Sequence, residues 1–413
     1  MREASPATQA GAGRVYASRA LRACCDGFTA ILLPLYLFDL GFDASMVGIL
    51  ATATLLGSAA LTISIGLYAY RYALRSLLLG ASLLMAVTGL VFGTVDNLVP
   101  LFIVAAAGTL NPSSGDVSVF VPLEHSLLAH LVPATRRTLS FAIYSAMGTG
   151  GAAIGALSVG FLDHLPAWLD RHDAIQGYFL VYGAVGLVVL LLYRGLPRER
   201  LGQGESAPQA ALGPSRRHVM RLAALFSVDA FAGGFVMNTL IATWLFTRFD
   251  LSASETGAIF FTTGLCSAVS YFVATWLAGR IGLINTMVFT HLPSSILLVL
   301  APFAPDVGWA VAALVARSLL SQMDVPTRTS YVMATVTPPE RPAASSFTNV
   351  PRSLASALPP ALGGWLLTLS PFGWPLVIGG GLKIAYDLGL LALFARVRPP
   401  EEQISEKHKA GPG

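Results

Sequence analysis

The feature that most constrains this sequence is the recurrence, from end to end, of apolar runs about 20 residues long. A helix needs about 20 mostly apolar residues to cross about 30 Å of hydrocarbon. Twelve segments meet that requirement. They are residues 21–38, 45–69, 76–95, 98–130, 138–162, 177–195, 219–246, 255–278, 283–303, 308–335, 345–369 and 374–396. The sequence therefore predicts an all-α polytopic membrane protein with twelve transmembrane helices.

The composition agrees with this prediction. Of 413 residues, 54% are hydrophobic and only 12% are charged, which is too little charge for a soluble protein of this length. The net charge of +4 comes from arginines between the apolar runs and gives no support for a nucleic-acid partner. The expected surrounding is the lipid bilayer. Because no cleavage site follows the polar first 18 residues, we expect no cleaved signal peptide.

The charges between the apolar runs alternate in sign and set the orientation. Arginines occupy the loops around residues 14–22, 71–75, 136–137, 194–217, 280, 341 and 396–398. The alternate loops carry the acids at 39–43, 96, 163–170, 250–255 and 306, with Arg171 and Arg248 as their exceptions. Cytoplasmic loops are enriched in arginine and lysine. Both termini are therefore expected in the cytoplasm, and the chain in the inner (cytoplasmic) membrane.

The sequence divides into two similar halves. Asp26-Gly27-Phe28 corresponds to Asp229-Ala230-Phe231, and the stretch 121–126 (VPLEHS) to 325–330 (VPTRTS), at offsets of 203 and 204 residues. A polar stretch between the halves, rich in Gly, Pro and Ser, is typical of a flexible linker. The predicted organisation is a flexible N-terminus (1–18), a six-helix bundle (19–196), a cytoplasmic linker (197–217), a second six-helix bundle (218–398) and a cytoplasmic tail (399–413).

One loop motif carries a family resemblance. The loop after helix 2 has Gly66, Arg71 and Arg75 in a pattern that resembles the G-x-x-x-D-R-x-G-R-R/K signature of the major facilitator superfamily. Tyr70 and Ala73 replace its acid and its second glycine, and the second copy at Arg280 also lacks the acid. The resemblance, together with the two six-helix halves, implies an alternating-access transporter of a small-molecule substrate. It also implies that this loop holds the halves in one conformation, here through a weaker or differently built contact.

The resemblance predicts the fold more specifically than it predicts the function. The stretch 359–364 (PPALGG) is similar to the helix 5 motif of proton-coupled drug exporters, whereas helix 5 itself lacks the proline. The leading expectation is therefore proton-coupled export by a monomeric chain, and uptake or uniport of a metabolite is the alternative. A receptor or assembly factor that moves no solute is the alternative of another class. Two stretches, 111–126 and 321–334, resemble those of a bacterial branch of the superfamily.

Charges within the apolar segments mark the candidate site, because a charge at the bilayer centre costs about 2.5–3.5 kcal/mol. Asp116 follows Asn111 in a Pro- and Gly-containing stretch of helix 4. Such a stretch frees backbone carbonyls, and burial of the carboxylate would allow proton exchange at working pH. Asp116 is thus a candidate for binding substrate or protons, or else forms a fixed ion pair with Arg317. Asp324 shares a helical face with Arg317 and Arg328, which we expect to line the central cavity.

Other intramembrane charges receive more specific assignments. Glu124 and Arg328 occupy equivalent positions in the two halves, and we hypothesise that they pair across a cytoplasmic gate. The alternative is that each stays solvated within its own half. Asp26 and Asp229 lie near helix N-termini, where the macrodipole stabilises acids, and are expected to be structural. Lys383 and Asp387 are spaced i, i+4 and are expected to neutralise each other.

The sequence also argues against catalysis. It has no Walker loop, no H-E-x-x-H and no G-x-S-x-G, so we expect no enzyme activity and no ATP-driven step. No two histidines have metal-ligand spacing, and three cysteines form no even set, so no metal, cofactor or disulfide framework is expected. Transport would then draw on an ion gradient, with protons as the expected coupling ion.

Overall fold

The computed structural model describes residues 6–68, 72–107, 109–113, 118–132, 137–196, 213, 215–336 and 340–394. Within these ranges the chain is helical and has no β-strand, which confirms the all-α prediction. The helices are α1 (Pro6–Asp39), α2 (Ala44–Tyr68), α3 (Leu74–Phe92), α4 (Leu98–Ala106), α5 (Phe120–Leu131), α6 (Arg137–Ser158), α7 (Arg171–Arg194), α8 (Arg216–Phe235), α9 (Asn238–Phe249), α10 (Ala253–Ile281), α11 (Leu283–Leu300), α12 (Val307–Ser318), α13 (Asp324–Thr335), α14 (Arg341–Ala357), α15 (Pro359–Leu369) and α16 (Trp374–Phe394). Short 3₁₀ turns follow α6 (Val159–His164) and α11 (Ala301–Phe303).

Four of the twelve predicted spans are interrupted helices. Nine helical spans in the described part of the chain are long and apolar enough to cross a membrane, and one of them, Arg216–Phe249, is divided between α8 and α9. The other three predicted spans each consist of two shorter helices, α4 with α5, α12 with α13, and α14 with α15. Proline explains the interruption between α14 and α15, since Pro359 and Pro360 have no amide hydrogen to donate to the carbonyl oxygens of the preceding turn of α14. The interruptions between α4 and α5 and between α12 and α13 fall at equivalent places in the two sequence halves.

The chain forms two compact units, which are not identical to the two sequence halves. Unit 1 comprises Met1–Gly204, Met237–Leu265 and Pro360–Pro371, and unit 2 comprises Glu205–Val236, Cys266–Pro359 and Phe372–Gly413. Unit 1 thus contains α9, the first part of α10 and α15 from the second sequence half. The division into bundles at the linker stays a prediction, and most of that linker lies outside the described residues.

Small residues bring α1 and α6 together in the centre of unit 1. A Cβ built on Gly155 would overlap the carbonyl oxygen of Cys24, and one built on Gly27 would overlap the carbonyl oxygen of Ala152. Without side chains at these positions the two backbones touch directly, and such contact is a major source of helix association in lipid. The α1–α6 contact is the most extensive between any two helices described.

Unit 1 also joins segments of both sequence halves on the side of the acidic loops. α2 meets α15 through Gly48 and Gly364, where an added Cβ would overlap the carbonyl oxygens of Pro360 and Ala44 respectively. The amide of Ala361 has no acceptor within its own helix at this position, and it donates to Thr52 Oγ1 at 2.9 Å. Backbone contact and a side-chain hydrogen bond therefore hold α15 against α2.

Candidate functional site

The interruption between α4 and α5 is stabilised by side chains from other helices. Tyr182 donates its hydroxyl hydrogen to the carbonyl oxygen of Thr109 at 2.8 Å. Thr239 donates to the carbonyl oxygen of Pro112 through both its amide, at 3.2 Å, and its hydroxyl, at 2.7 Å. Backbone groups freed at membrane depth require such partners. Within this stretch Asn111 donates to Asp26 at 3.2 Å, so two predicted residues meet here. Asp116 lies outside the described residues.

Glu124 is the centre of a buried polar cluster in unit 1. Its side chain is fully buried and accepts hydrogen bonds from Arg22, Tyr193 and, at 2.5 Å, Tyr144. The Arg22 guanidinium also lies 4.0 Å from the centre of the Phe120 ring. These contacts provide a counter-charge and two neutral donors for one carboxylate. We call Arg22, Glu124, Tyr144 and Tyr193 the Glu124 cluster.

A second cluster of buried charges lies in unit 2 around Asp229. One carboxylate oxygen of Asp229 accepts from Lys383 at 2.8 Å, and the other accepts from Arg328 at 2.8 Å. His291 places Nε2 3.8 Å from Asp229, and its Nδ1 is 2.9 Å from Asp387. We call Asp229, His291, Arg328, Lys383 and Asp387 the Asp229 cluster. It joins α8, α11, α13 and α16.

These contacts differ from the pairing that the sequence predicts for α16. Lys383 and Asp387 stand one helical turn apart, yet Lys383 bonds to Asp229 and Asp387 bonds to His291. Both acids are buried, with Asp229 4% and Asp387 0% exposed. Asp229 is therefore the shared acceptor of two cations rather than an isolated acid near a helix N-terminus. His291 lies between the two carboxylates, near Asp229 through Nε2 and near Asp387 through Nδ1.

The two members of the predicted gate pair have partners within their own units. Arg328 forms a second ion pair with Asp324, one turn earlier on α13. The expected proximity of Asp324 and Arg328 on one helical face is thus present, and both side chains are buried. Glu124 has its partners in the Glu124 cluster. The alternative of solvated charges does not describe either residue, and a gate contact between them stays a prediction.

The two clusters repeat one arrangement with the charges exchanged. In unit 1 a cation on α1, Arg22, pairs with the acid Glu124 on α5. In unit 2 an acid on α8, Asp229, pairs with the cation Arg328 on α13. Glu124 and Arg328 occupy equivalent positions in the repeat. Each pairs with a charge of opposite sign, Arg22 on α1 for Glu124 and Asp229 on α8 for Arg328. The exchange of sign between equivalent positions was visible in the aligned halves, and could have indicated pairing within each half.

Comparison with known proteins agrees with the repeated architecture. The sequence model of the Major Facilitator Superfamily matches residues 15–247 and again residues 222–412. The chain belongs to the Major Facilitator Superfamily. It is a multi-pass membrane transporter with the twelve-helix fold of that family, whose members are transporters rather than enzymes.

Similar proteins include one curated sequence and several solved structures. The uncharacterized membrane protein YJR124C of Saccharomyces cerevisiae is 25% identical over 430 residues, which cover 95% of this chain and 96% of that protein. The crystal structure of the nucleoside transporter NupG has a TM-score of 0.71 at 14% identity, covering 93% of this chain and 98% of that one. A bacterial homologue of the human lysosomal transporter Spinster, inward-facing and occupied, has a TM-score of 0.69 at 14% identity, covering 94% and 96%. These structural likenesses concern the fold alone.

The predicted conformational loop of this transporter is only partly described. Gly66 lies near the end of α2, and Arg71 lies outside the described residues. Arg75 begins the first turn of α3. Arg280, in the last turn of α10, lies 4.3 Å from the centre of the Trp276 ring. The function of this loop as a contact between the halves stays a prediction.

Arg317 differs from the other intramembrane cations. It lies in the last turn of α12, ten residues after Val307 and hence about 15 Å along the helix, near the middle of a bilayer about 30 Å thick. No carboxylate of the described residues forms an ion pair with it. The helix dipole stabilises a cation there by about 0.3–1 kcal/mol, against a cost of about 2.5–3.5 kcal/mol for insertion. The dipole alone therefore does not offset the cost of this charge.

Proposed function

We propose that this transporter couples movement of a small organic solute to movement of protons, and that the Asp229 cluster carries the coupling. The observation behind this proposal is that one buried carboxylate, Asp229, accepts from both Lys383 and Arg328 beside His291. Protonation of Asp229 would remove its charge and release both cations. Binding a proton at Asp229 would thereby break its contacts with Lys383 and Arg328 within unit 2, and losing the proton would restore them.

Such a change suits a gradient-driven transporter. A difference of one pH unit across the membrane provides about 1.36 kcal/mol per proton, which sustains a roughly tenfold solute gradient. A site that binds a proton in one conformation and releases it in another converts that energy into net transport, because ligands shift conformational equilibria through differential binding. His291 and, beyond it, Asp387 offer positions onto which the proton can pass, at contact distances of 2.9–3.8 Å.

Substrate binding is assigned to the interrupted helices. We propose that Asn111 in the interruption between α4 and α5, and Arg317 and Asp324 beside the one between α12 and α13, contact the solute. Asp116, which lies outside the described residues, is proposed to contact it as well. Interrupted helices at membrane depth expose backbone groups and side chains to a cavity. We propose that the working unit is a single chain in the inner membrane, since each charge cluster is complete within one chain.

Export is the direction that we propose, because the stretch Pro359–Gly364 resembles the exporter motif. Uptake of a metabolite is the alternative. The printed descriptions of NupG as a nucleoside transporter and of Spinster as a lysosomal transporter suggest nucleosides and lysosomal-type solutes as compounds worth testing. A role without transport is disfavoured, since buried acids cost insertion energy that a static bundle has no use for.

The test is a growth-inhibition profile over a broad compound panel, nucleosides included, in an efflux-deficient bacterial host. Cells expressing the wild-type chain are compared with cells expressing Asp229→Asn, Asp116→Asn or the control Asp250→Asn at equal membrane level. Asp250 is exposed and adopts a left-handed conformation that asparagine also favours, so this control should behave as wild type. We expect resistance to some compounds that Asp229→Asn abolishes.

The other outcomes are equally informative. Increased sensitivity of the wild-type cells would indicate uptake and refute export. For a compound identified in this way, proteoliposomes containing the purified chain should accumulate it when a proton gradient is imposed, and Asp229→Asn should not respond to the gradient. Gradient-independent transport would refute proton coupling. An identical profile for all strains would refute drug export altogether.

A further inference from the structure

We propose that Arg317 binds an oxyanion of the transported solute, so that the substrate is an organic anion. This inference rests on the proposed transport function and names its substrate class. Its starting point is the charge balance within unit 2. Around the Asp229 cluster three buried or partly buried cations, Arg328, Arg352 and Lys383, accompany three buried acids, Asp229, Asp324 and Asp387. The fourth buried acid of unit 2, Glu340, accepts from Gly213 and Ser215 at the start of α8. The group around Asp229 is balanced without Arg317.

The Arg317 guanidinium takes no part in the ion pairs of this group. Lys383 pairs with Asp229, and Arg328 pairs with both Asp229 and Asp324. No carboxylate of the described residues forms an ion pair with Arg317. A full positive charge therefore stands at mid-depth with no counter-charge in the described structure.

Arg317 lies on the inner side of α12 rather than on its lipid side. It follows Ala310 by seven residues, so the two share one face of the helix, and Ala310 is 0% exposed. The lipid-facing side is marked by Trp309 and Leu319, which are 66% and 42% exposed. Arg317 is partly buried, and so remains accessible to a molecule inside the protein. At about 15 Å from the start of the helix, its side chain does not extend to the membrane surface.

Polar groups from two neighbouring helices surround the end of α12. Ser294 of α11 donates to the carbonyl oxygen of Arg317 at 3.4 Å, and Ser267 of α10 donates to that of Ser318 at 3.4 Å. One turn further, Tyr271 donates to Gln322 at 3.1 Å. Hydroxyl and amide groups at this end of α12 can hydrogen-bond the uncharged part of a ligand. The guanidinium itself presents paired donors that match a carboxylate, sulfonate or phosphate group.

The experiment measures the thermal stability of the purified full chain in detergent with a library of organic carboxylates, sulfonates and phosphates. Each acid is paired with its neutral amide or ester. We expect some acids, and none of their neutral partners, to raise the melting temperature of the wild-type chain. Arg317→Gln should lower the apparent affinity at least tenfold. Arg317→Lys, which retains the charge without the paired donors, should have an intermediate effect, and the exposed Arg248→Gln should match wild type.

Melting temperatures measured without ligand distinguish a function of Arg317 in ligand recognition from a structural function. If Arg317 has no counter-charge, Arg317→Gln should melt at the same temperature as wild type or higher. A lower melting temperature would instead indicate an ion pair, for example with Asp116, and would overturn the proposal. It would equally be overturned if no acid stabilised the wild-type chain, or if Arg317→Gln bound acids as wild type does. The type of acid that binds distinguishes carboxylate from sulfonate and phosphate recognition.

Failure of this proposal and failure of proton coupling give different results. Gradient-driven, Asp229-dependent transport of a neutral or cationic solute would refute anion binding and leave the coupling proposal intact. If anion binding depends on Arg317 but transport is independent of the proton gradient, the coupling proposal is refuted and anion binding is left intact.

Discussion

Removing the charge of Glu124 should destabilise unit 1 by several kcal/mol. The Glu124→Gln side chain keeps the shape and one acceptor but loses the negative charge. Hydrogen bonds to a charged group contribute about 1.5–3 kcal/mol and neutral ones about 0.5–1.5 kcal/mol. With three donors at this carboxylate, the loss is about 3–4.5 kcal/mol in total. Breaking a buried ion pair by removing one partner costs about 3–5 kcal/mol, so the two approaches agree.

The cysteines of the chain make this change measurable in unit 1 alone. Cys25 is 1% exposed and Cys24 is partly buried, and both lie on α1 close to Arg22. In a Cys266→Ser background, a thiol-reactive dye reports only the unfolding that exposes these two residues. At about 2–4 °C per kcal/mol for a unit of this size, the melting temperature of Glu124→Gln should fall by roughly 6–18 °C.

The same substitution at an exposed site is the matched control. Glu255 lies in the first turn of α10, where its side chain accepts from the amide of Ser252, a position that glutamine also tolerates. We expect Glu255→Gln to change the melting temperature little. A double-mutant cycle with Arg22→Met should show a coupling energy above about 1 kcal/mol between Arg22 and Glu124. Equal effects of the two Glu→Gln changes, or strict additivity in the cycle, would refute the reasoning.

Three further predictions concern helix contacts and ion pairs. Gly155→Ala should lower the melting temperature in the same dye assay by the equivalent of about 1–3 kcal/mol, because the added methyl group overlaps a backbone carbonyl of α1. Gly150→Ala is the control and should have no such effect, since an added Cβ there has nothing within 4 Å. Equal melting temperatures of the two variants would contradict the packing of α6 against α1. Gly364→Ala should increase hydrogen–deuterium exchange in α2 and α15, since it separates their backbones, and unchanged exchange would argue against that contact. In double-mutant cycles measured by thermal stability, Lys383→Met should be coupled to Asp229→Asn by more than about 1 kcal/mol. Its effect should add to that of Asp387→Asn within about 0.5 kcal/mol. The reverse pattern would indicate that Lys383 pairs with Asp387, as the spacing on α16 predicts.

The membrane-spanning pattern was predictable because hydrophobicity can be read along the chain. Nine of the twelve expected spans correspond to apolar helical stretches in the described residues, one of them divided between α8 and α9. The fourth predicted span, 98–130, is divided around Pro112 into α4 and α5. The interruption between α12 and α13 has no proline within Leu319–Met323, so sequence pattern offered no comparable signal.

The intramembrane charges were found by the sequence, but most of their partners were not. Asp26, Glu124, Asp229, Arg328 and Lys383 were recognised because charge is rare in apolar segments. The tyrosines of the Glu124 cluster were missed, since a tyrosine in an apolar run does not stand out. The position of His291 between Asp229 and Asp387 was not predicted either, because the three residues lie on three helices, α8, α11 and α16, that are far apart in the sequence.

The sequence by itself determined the class of protein, the number of its spans, the two related halves and the positions of the buried charges. Each of these follows from local hydrophobicity or from the repeat. Only the tertiary structure decided which charges meet. Arg22 and Glu124 are 102 residues apart, and Asp229 and Lys383 are 154 apart. Such pairs depend on which faces of packed helices come together, and local spacing on one helix, as for Lys383 and Asp387, does not reveal them.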